Sequence, residues 1–133
     1  MNMETTTLKR NVWTFPGLGA TLQVRIREMI CYHFDLTYEE LISERRFIKW
    51  VYARHMYRYL LSLALKEGAI DSGNRRENCL YTLDEIADMT GCIDHSGVVP
   101  SMRTAQNLIS TDKCYRDKFL LIINSLDKNQ LAL

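Results

Sequence analysis

The chain has 133 residues, which is enough for one domain with a hydrophobic core of its own. Apolar residues make up 47% and charged residues 25%, a globular composition that excludes an intrinsically disordered chain. The formal net charge is +1, so total charge predicts neither a nucleic acid nor a membrane as partner. No segment approaches the roughly 20 apolar residues of a transmembrane helix.

The cysteine pattern predicts a reduced protein without a metal centre. No Cys-x-x-Cys pair occurs, and the three histidines do not bracket the cysteines, so we expect no zinc site and no cofactor. No apolar stretch follows the charges at the N-terminus, so we expect no signal peptide. We therefore expect a cytoplasmic protein with four free thiols, of which Cys31 looks like a core residue. The four are Cys31, Cys79, Cys92 and Cys114.

The N-terminal segment is predicted to be a flexible arm over residues 1–19. It is threonine-rich and then carries Trp13 and Phe15 just before Pro16-Gly17. The two aromatic residues either dock on their own domain or bind a protein partner. We place the domain itself at 20–127 and a short tail at 128–133.

The first half of the domain reads as three helices. Thr21 can cap a helix over residues 22–33, whose apolar residues recur at helical spacing. Thr37 begins a capping box, which predicts a short helix over 38–43. A long helix over 47–66 is apolar on most sides, and we expect it at the centre of the domain.

A polar segment over residues 67–81 is predicted to be a loop or a small hairpin. Thr82 then opens a second capping box, and a helix should run from it to Gly91, where glycine accepts a left-handed conformation. Asp94 is a suitable cap for the next helix. Two short helices around a glycine turn are the skeleton of a helix-turn-helix, whose second helix can enter the major groove of DNA.

A last helix is predicted from Lys113 to about Leu126, capped by Asp112. No strand pattern occurs outside the possible hairpin. The predicted fold is therefore all-α, a compact bundle of five to six helices that contains a helix-turn-helix.

Positive charge is concentrated in one stretch of the chain. Residues 45–66 contain six Lys or Arg and no acid, whereas 35–44 contain four acids and no base. Such a cluster can neutralise DNA phosphates, and it can equally form a solvated face balanced by the neighbouring acids. Arg54 and Arg58 are four residues apart and share one helix face. The cluster consists of Arg45, Arg46, Lys49, Arg54, Arg58 and Lys66.

In the order of its elements, the sequence resembles the C-terminal DNA-binding domain of the bacterial replication initiator DnaA, a Trp-repressor-like helix-turn-helix family. The likeness covers about Gln23 to Leu126 and rests on three segments. ICYHFDLTYEELISERR is similar to the family's first two helices and basic loop, and WVYARHMYRYLL to its Ala-Arg-x-x-Met segment. TLDEIADMTGCIDHSGVV is similar to its Gly-Arg-Asp-His-Thr-Thr-Val signature.

The resemblance implies sequence-specific binding of a duplex through two grooves, in replication or transcription control at the nucleoid. It implies no small-molecule substrate, and the chain contains no phosphate loop of an ATPase. A basic-loop arginine would enter the minor groove, and a short polar stretch would read the major groove. The implied contacts are Arg45 and Arg46 in the loop, Arg54, His55 and Arg58 on the long helix, Thr82 and Leu83 at phosphate, Asp94, His95 and Ser96 at bases, and Arg103 further along.

Several positions depart from the family signature. Ile93 stands where the family has arginine, and Gly97 where it has its second threonine, so groups that could touch DNA are missing. Pro100 disrupts the recognition helix by about 3 kcal/mol if Asp94 caps it, and is harmless if the helix starts near Gly97. The departures favour an alternative function, a protein-interaction or structural domain that kept the fold. A low-specificity duplex binder lies between the two.

An enzymatic function is not expected. Asp94, His95 and Ser96 are adjacent at a helix start and cannot align as nucleophile, base and orienting acid. The aromatic residues of the long helix, Trp50, Tyr52, Tyr57 and Tyr59, are expected in the core rather than on a base-stacking surface.

Overall fold

The computed structural model of the protein describes residues 21–65, 79–92, 95–126 and 131. Within these residues there are six α-helices and no β-strand, which confirms the all-α prediction. The predictions for the arm at 1–19 and for most of the loop at 67–81 lie outside the described residues. The helices are α1 (Leu22–Phe34), α2 (Tyr38–Leu41), α3 (Ile48–Leu63), α4 (Leu83–Thr90), α5 (Val98–Thr111) and α6 (Lys113–Ser125), with a 3-10 turn at His95–Gly97.

Helix α3 lies at the centre, as predicted, and packs against α1, α2, α4 and α5. Its residues Met56, Tyr57, Leu60 and Leu61 are completely buried, because nearly every face of the helix meets another helix. The helix ends at Leu63, before the predicted position. The backbone of the next residues turns extended there and forms two isolated antiparallel bridges, Ala64 to Leu131 and Leu65 to Cys79.

The predicted caps at the two ends of the domain are present. The Thr21 hydroxyl accepts a hydrogen bond from the Val24 amide at the start of α1. Asp112 accepts from the Tyr115 amide at the start of α6. The Tyr115 hydroxyl then donates to the carbonyl of Tyr52 at 2.7 Å, which ties α6 to the central helix.

The link between α1 and α2 is a tight one. Asp35 adopts a left-handed conformation (φ 55°), and Leu36 beyond it is buried. The Thr37–Glu40 capping box is present, but α2 ends at Leu41, two residues before the predicted end. Cys31 lies in the core as predicted, where burial raises the pKa of its thiol to about 12.

Candidate nucleic-acid interface

Two exposed arginines of the candidate site lie on the connection between α2 and α3. Arg45 and Arg46 are both exposed, as their predicted role requires. The Ser43 hydroxyl accepts a hydrogen bond from the Arg45 amide at 3.0 Å, which closes a local turn. We call residues 43–47 the basic loop.

Arg54 does not reach solvent, so the prediction that it contacts phosphate is wrong. Only 6% of the residue is exposed, and its guanidinium donates to the carbonyls of Leu41 (3.3 Å) and Arg45. The last carbonyls of a short helix have no partner within the helix, and here the buried guanidinium supplies one. Arg54 therefore holds the basic loop against α3, and burial together with nearby Arg58 lowers its pKa.

Arg58 is also buried, with 9% exposed, and the prediction that it contacts phosphate is likewise wrong. Its guanidinium donates to the hydroxyl of Thr90 (3.0 Å), the carbonyl of Thr90 (3.2 Å) and the hydroxyl of Ser101 (3.1 Å). Thr90 ends α4 and Ser101 lies in α5. One side chain of the central helix therefore binds both α4 and α5, which we call the helix pair.

His55 belongs to the same buried network rather than to an exposed face. It is half-buried, and its Nδ1 shares a hydrogen bond with the Ser101 hydroxyl. Burial and the neighbouring positive charges of Arg58 and Arg54 lower its pKa to about 4, so the ring is neutral at pH 7. An uncharged ring whose Nδ1 is already hydrogen-bonded to Ser101 does not support the predicted contact of His55 with DNA.

The turn between α4 and α5 requires its glycine. Gly91 has φ +80°, and a Cβ at this position would lie 2.5 Å from the carbonyl oxygen of Ile42. Both the conformation and the close approach therefore exclude a side chain. Because Ile42 directly precedes the basic loop, this contact places the basic loop beside the turn of the helix pair.

Helix α5 begins at Val98, with Gly97 as its N-cap and the 3-10 turn before it. The prediction that Asp94 caps α5 is therefore wrong, and Asp94 itself lies outside the described residues. Pro100 is the third residue of the helix, where its missing amide has no intrahelical partner to lose. Of the two predictions for Pro100, the harmless one is confirmed.

At the start of α4, the amide of Thr82 is not open to phosphate as predicted, whereas the same prediction for the amide of Leu83 stays a prediction. The Thr82 amide donates to a carboxylate oxygen of Glu85 at 2.8 Å, and the Thr82 hydroxyl accepts from the Glu85 amide. Asp84 adds a second carboxylate to the same turn. Leu83 is half-buried against the core. Two negative charges at this helix start disfavour a phosphate.

The exposed predicted residues that remain are Arg45 and Arg46 on the basic loop, and Ser96 and Arg103 at α5. The side chain of His95 lies outside the described residues, whereas its backbone opens the 3-10 turn. The interface expected from the sequence is therefore smaller than predicted. Two of its three exposed arginines come from the basic loop and the third, Arg103, from α5. Its buried arginines support the basic loop and the helix pair.

The sequence analysis did not identify Thr90 and Ser101, whose hydroxyls accept hydrogen bonds from the buried guanidinium of Arg58. Thr90 is completely buried and Ser101 is 4% exposed. Both are small polar residues on otherwise apolar helix faces, Thr90 after Ile86 and Ala87, and Ser101 between Val98 and Ala105. A hydroxyl on a core-facing stripe is a signal that a buried donor lies opposite.

Among the described residues no group of three potential metal ligands occurs, and no helix there is long and apolar enough to cross a membrane. Models of known protein families match no part of the chain, and no curated protein matches it either.

Proposed function

We propose that this protein binds double-stranded DNA non-covalently. The basic loop would lie in the minor groove and the start of α5 in the adjoining major groove. One observation carries the proposal: the close approach of Gly91 to Ile42 sets the exposed arginine loop directly beside the turn of the helix pair. A protein that binds two neighbouring grooves of a duplex needs two binding elements side by side, and here these are the basic loop and the helix pair.

The basic loop suits the minor groove in its chemistry. Arg45 and Arg46 are exposed and adjacent, and each can neutralise phosphate or follow the enhanced negative potential of a narrow groove. The loop is also preorganised, because Arg54 binds the carbonyl of Arg45 from below. Ordering the loop therefore costs little on binding.

The start of α5 supports low rather than high sequence specificity. The exposed residues of the 3-10 turn and of the first turn of α5 include Ser96, Gly97, Val99 and Pro100, of which only Ser96 has a polar side chain. Val99 and Pro100 can touch a thymine methyl group, but cannot make the bidentate hydrogen bonds that discriminate bases strongly. Arg103, one turn further on, is exposed and can reach phosphate.

The resemblance to the DNA-binding domain of the replication initiator DnaA supports the same proposal. It extends the proposal to replication or transcription control in a bacterial cytoplasm. His95 and Asp94 remain proposed base contacts on that ground alone.

The decisive experiment measures affinity for a pool of random duplexes across a series of salt concentrations. Arg46→Ala should weaken binding about tenfold and flatten the slope of log affinity against log salt by about 0.9. Lys113→Ala is the matched control, because Lys113 is an exposed cation already paired with Asp117 on α6. That variant should bind like the native protein.

A second candidate function is a protein-interaction domain. Leu120 and Leu121 on α6 are 44% and 54% exposed, which is unusual for adjacent leucines of a helix that packs on the core. If the native protein binds no duplex at low salt, the DNA proposal fails and this candidate takes its place. If Lys113→Ala weakens binding as much as Arg46→Ala, the protein binds DNA but the basic loop is not its specific contact surface.

A further inference from the structure

Two large apolar side chains stand in solvent in the middle of the positive segment. Phe47 is 53% exposed and Ile48 is 68% exposed. Arg45 and Arg46 precede them and exposed Lys49 follows. From residue 44 to residue 58 the only acid is Glu44. The apolar pair is thus flanked on both sides by cations.

Helix capping does not account for these two side chains. Phe47 is the N-cap of α3 and has no side-chain acceptor for the helix amides, whereas α1, α2, α4 and α6 are capped by threonine or aspartate. Ile48 is the first helical residue and is the most exposed large apolar residue described. A serine or aspartate at position 47 would stabilise the helix better.

The ring of Phe47 nevertheless has defined contacts. The ring of Phe47 meets Trp50 edge to face, with ring centroids 4.8 Å apart. The guanidinium of Arg45 lies 5.9 Å from the centroid of the Phe47 ring, within reach of a cation–π contact. Below them, the buried Arg54 fixes the backbone of the basic loop. The result is an exposed apolar tip whose ring is held beside Trp50 and the cation of Arg45.

We propose that Phe47 and Ile48 form a wedge that inserts between neighbouring base pairs from the minor groove and bends the duplex. The inference rests on the proposed DNA binding and adds to it a mode of recognition. Apolar side chains inserted at a base step unstack it, which costs a few kcal/mol and kinks the duplex away from the protein. Flexible pyrimidine–purine steps, TA above all, are unstacked most easily, so the wedge selects deformable sequence rather than base edges.

The flanking charges favour DNA as the occupant over a protein surface. A wedge needs cations on both sides, since the phosphates flanking the opened step must be neutralised as the groove widens. Along the chain, exposed Arg45 and Arg46 precede the pair and exposed Lys49 follows it. An anionic lipid surface shares part of this chemistry and is therefore included in the test.

The test uses short duplexes with a fluorescence donor at one end and an acceptor at the other, one with central TA steps and one with GC steps only. Native protein should raise energy transfer on the TA duplex and much less on the GC duplex. The double variant Phe47→Ser/Ile48→Ser should still bind, about tenfold more weakly, without raising energy transfer. Leu121→Ser, which likewise removes an exposed apolar side chain but on α6, should behave like the native protein.

The outcomes separate the wedge from DNA binding itself. Binding by the native protein with unchanged energy transfer on both duplexes refutes the wedge and leaves the proposed function standing. Absence of binding to either duplex at low salt refutes both. Vesicles of phosphatidylserine are the third probe: if the double variant loses vesicle binding but binds and bends DNA like the native protein, the apolar pair serves a membrane and the wedge is wrong.

Discussion

Two pairs of arginines in this protein have opposite environments. Arg45 and Arg46 are exposed on the basic loop, whereas Arg54 and Arg58, on the next helix, are 6% and 9% exposed. The guanidinium groups of the buried pair donate hydrogen bonds to backbone carbonyls and to hydroxyls of neighbouring helices and of the basic loop. The exposed pair leaves its charge at the surface. Arginine therefore has two roles here. Arg54 and Arg58 hold the fold together by hydrogen bonds, and Arg45 and Arg46 form the charged surface of the basic loop.

The largest effect is expected when the support is removed. Arg58→Ala deletes the donors to Thr90 and Ser101 and leaves a void among α3, α4 and α5, which should lower the free energy of unfolding by about 2–4 kcal/mol. Urea unfolding followed by far-UV circular dichroism measures it. Arg46→Ala, the exposed counterpart, should change stability by less than about 0.5 kcal/mol. Equal losses for the two variants would show that the contrast between the pairs has no energetic basis.

A smaller effect is expected from the turn that joins the two regions. Gly91→Ala places a Cβ in a left-handed conformation, which costs about 1–2 kcal/mol, and drives it against the Ile42 carbonyl. The turn and the basic loop should separate, so duplex affinity should fall although no DNA-contacting group has changed. Thr104→Ala, at an exposed helix hydroxyl bonded within α5, serves as the control and should retain affinity. Unchanged affinity in Gly91→Ala would mean that the loop and the helix pair do not act together.

The smallest effect is expected in the pH dependence of stability, through His55, whose ring lies beside the buried arginines. His55 has its pKa lowered to about 4 in the folded protein, against 6.5 in the unfolded chain, so between these values the unfolded state binds more protons. The stability it contributes is complete above pH 6.5 and declines as the pH falls toward 4. His55→Gln removes this titration while keeping a group that can bond Ser101. The native protein should therefore lose more stability between pH 7 and pH 5 than the variant, as judged from urea midpoints; parallel losses would place His55 in solvent.

Local chemistry predicted α1, α2, α4 and α6 well because each of these helices starts at a residue whose side chain caps it. The threonine caps at positions 21, 37 and 82, the aspartate cap at 112 and the glycine at 91 act through atoms within a few residues. Apolar spacing predicted the buried faces for the same reason, and Tyr115, Phe119, Ile122 and Ile123 are all buried on α6. The end of α3 was predicted too late, because the pairing of Leu65 with Cys79 lies outside the helix's own sequence.

The arginine environments could not be predicted in the same way. Sequence shows Arg54 and Arg58 on one helix face without a partner acid, and that pattern is equally compatible with a phosphate-binding surface. Their partners are carbonyls and hydroxyls from α2, the basic loop, α4 and α5, which approach only when the helices pack. Hydrogen-bond acceptors of the backbone leave no trace in composition or charge patterning.

Helix positions, caps, the glycine turn and the concentration of positive charge thus follow from the amino-acid sequence, since each depends on neighbours along the chain. Which of those charges face solvent depends on contacts between residues more than ten positions apart, such as Arg58 with Thr90 and Ser101. Packing buried Arg54 and Arg58 of the predicted surface and left Phe47 and Ile48 exposed beside Arg45 and Arg46. A guanidinium is buried wherever the fold surrounds it with oxygen acceptors, and that arrangement exists only once the helices have met.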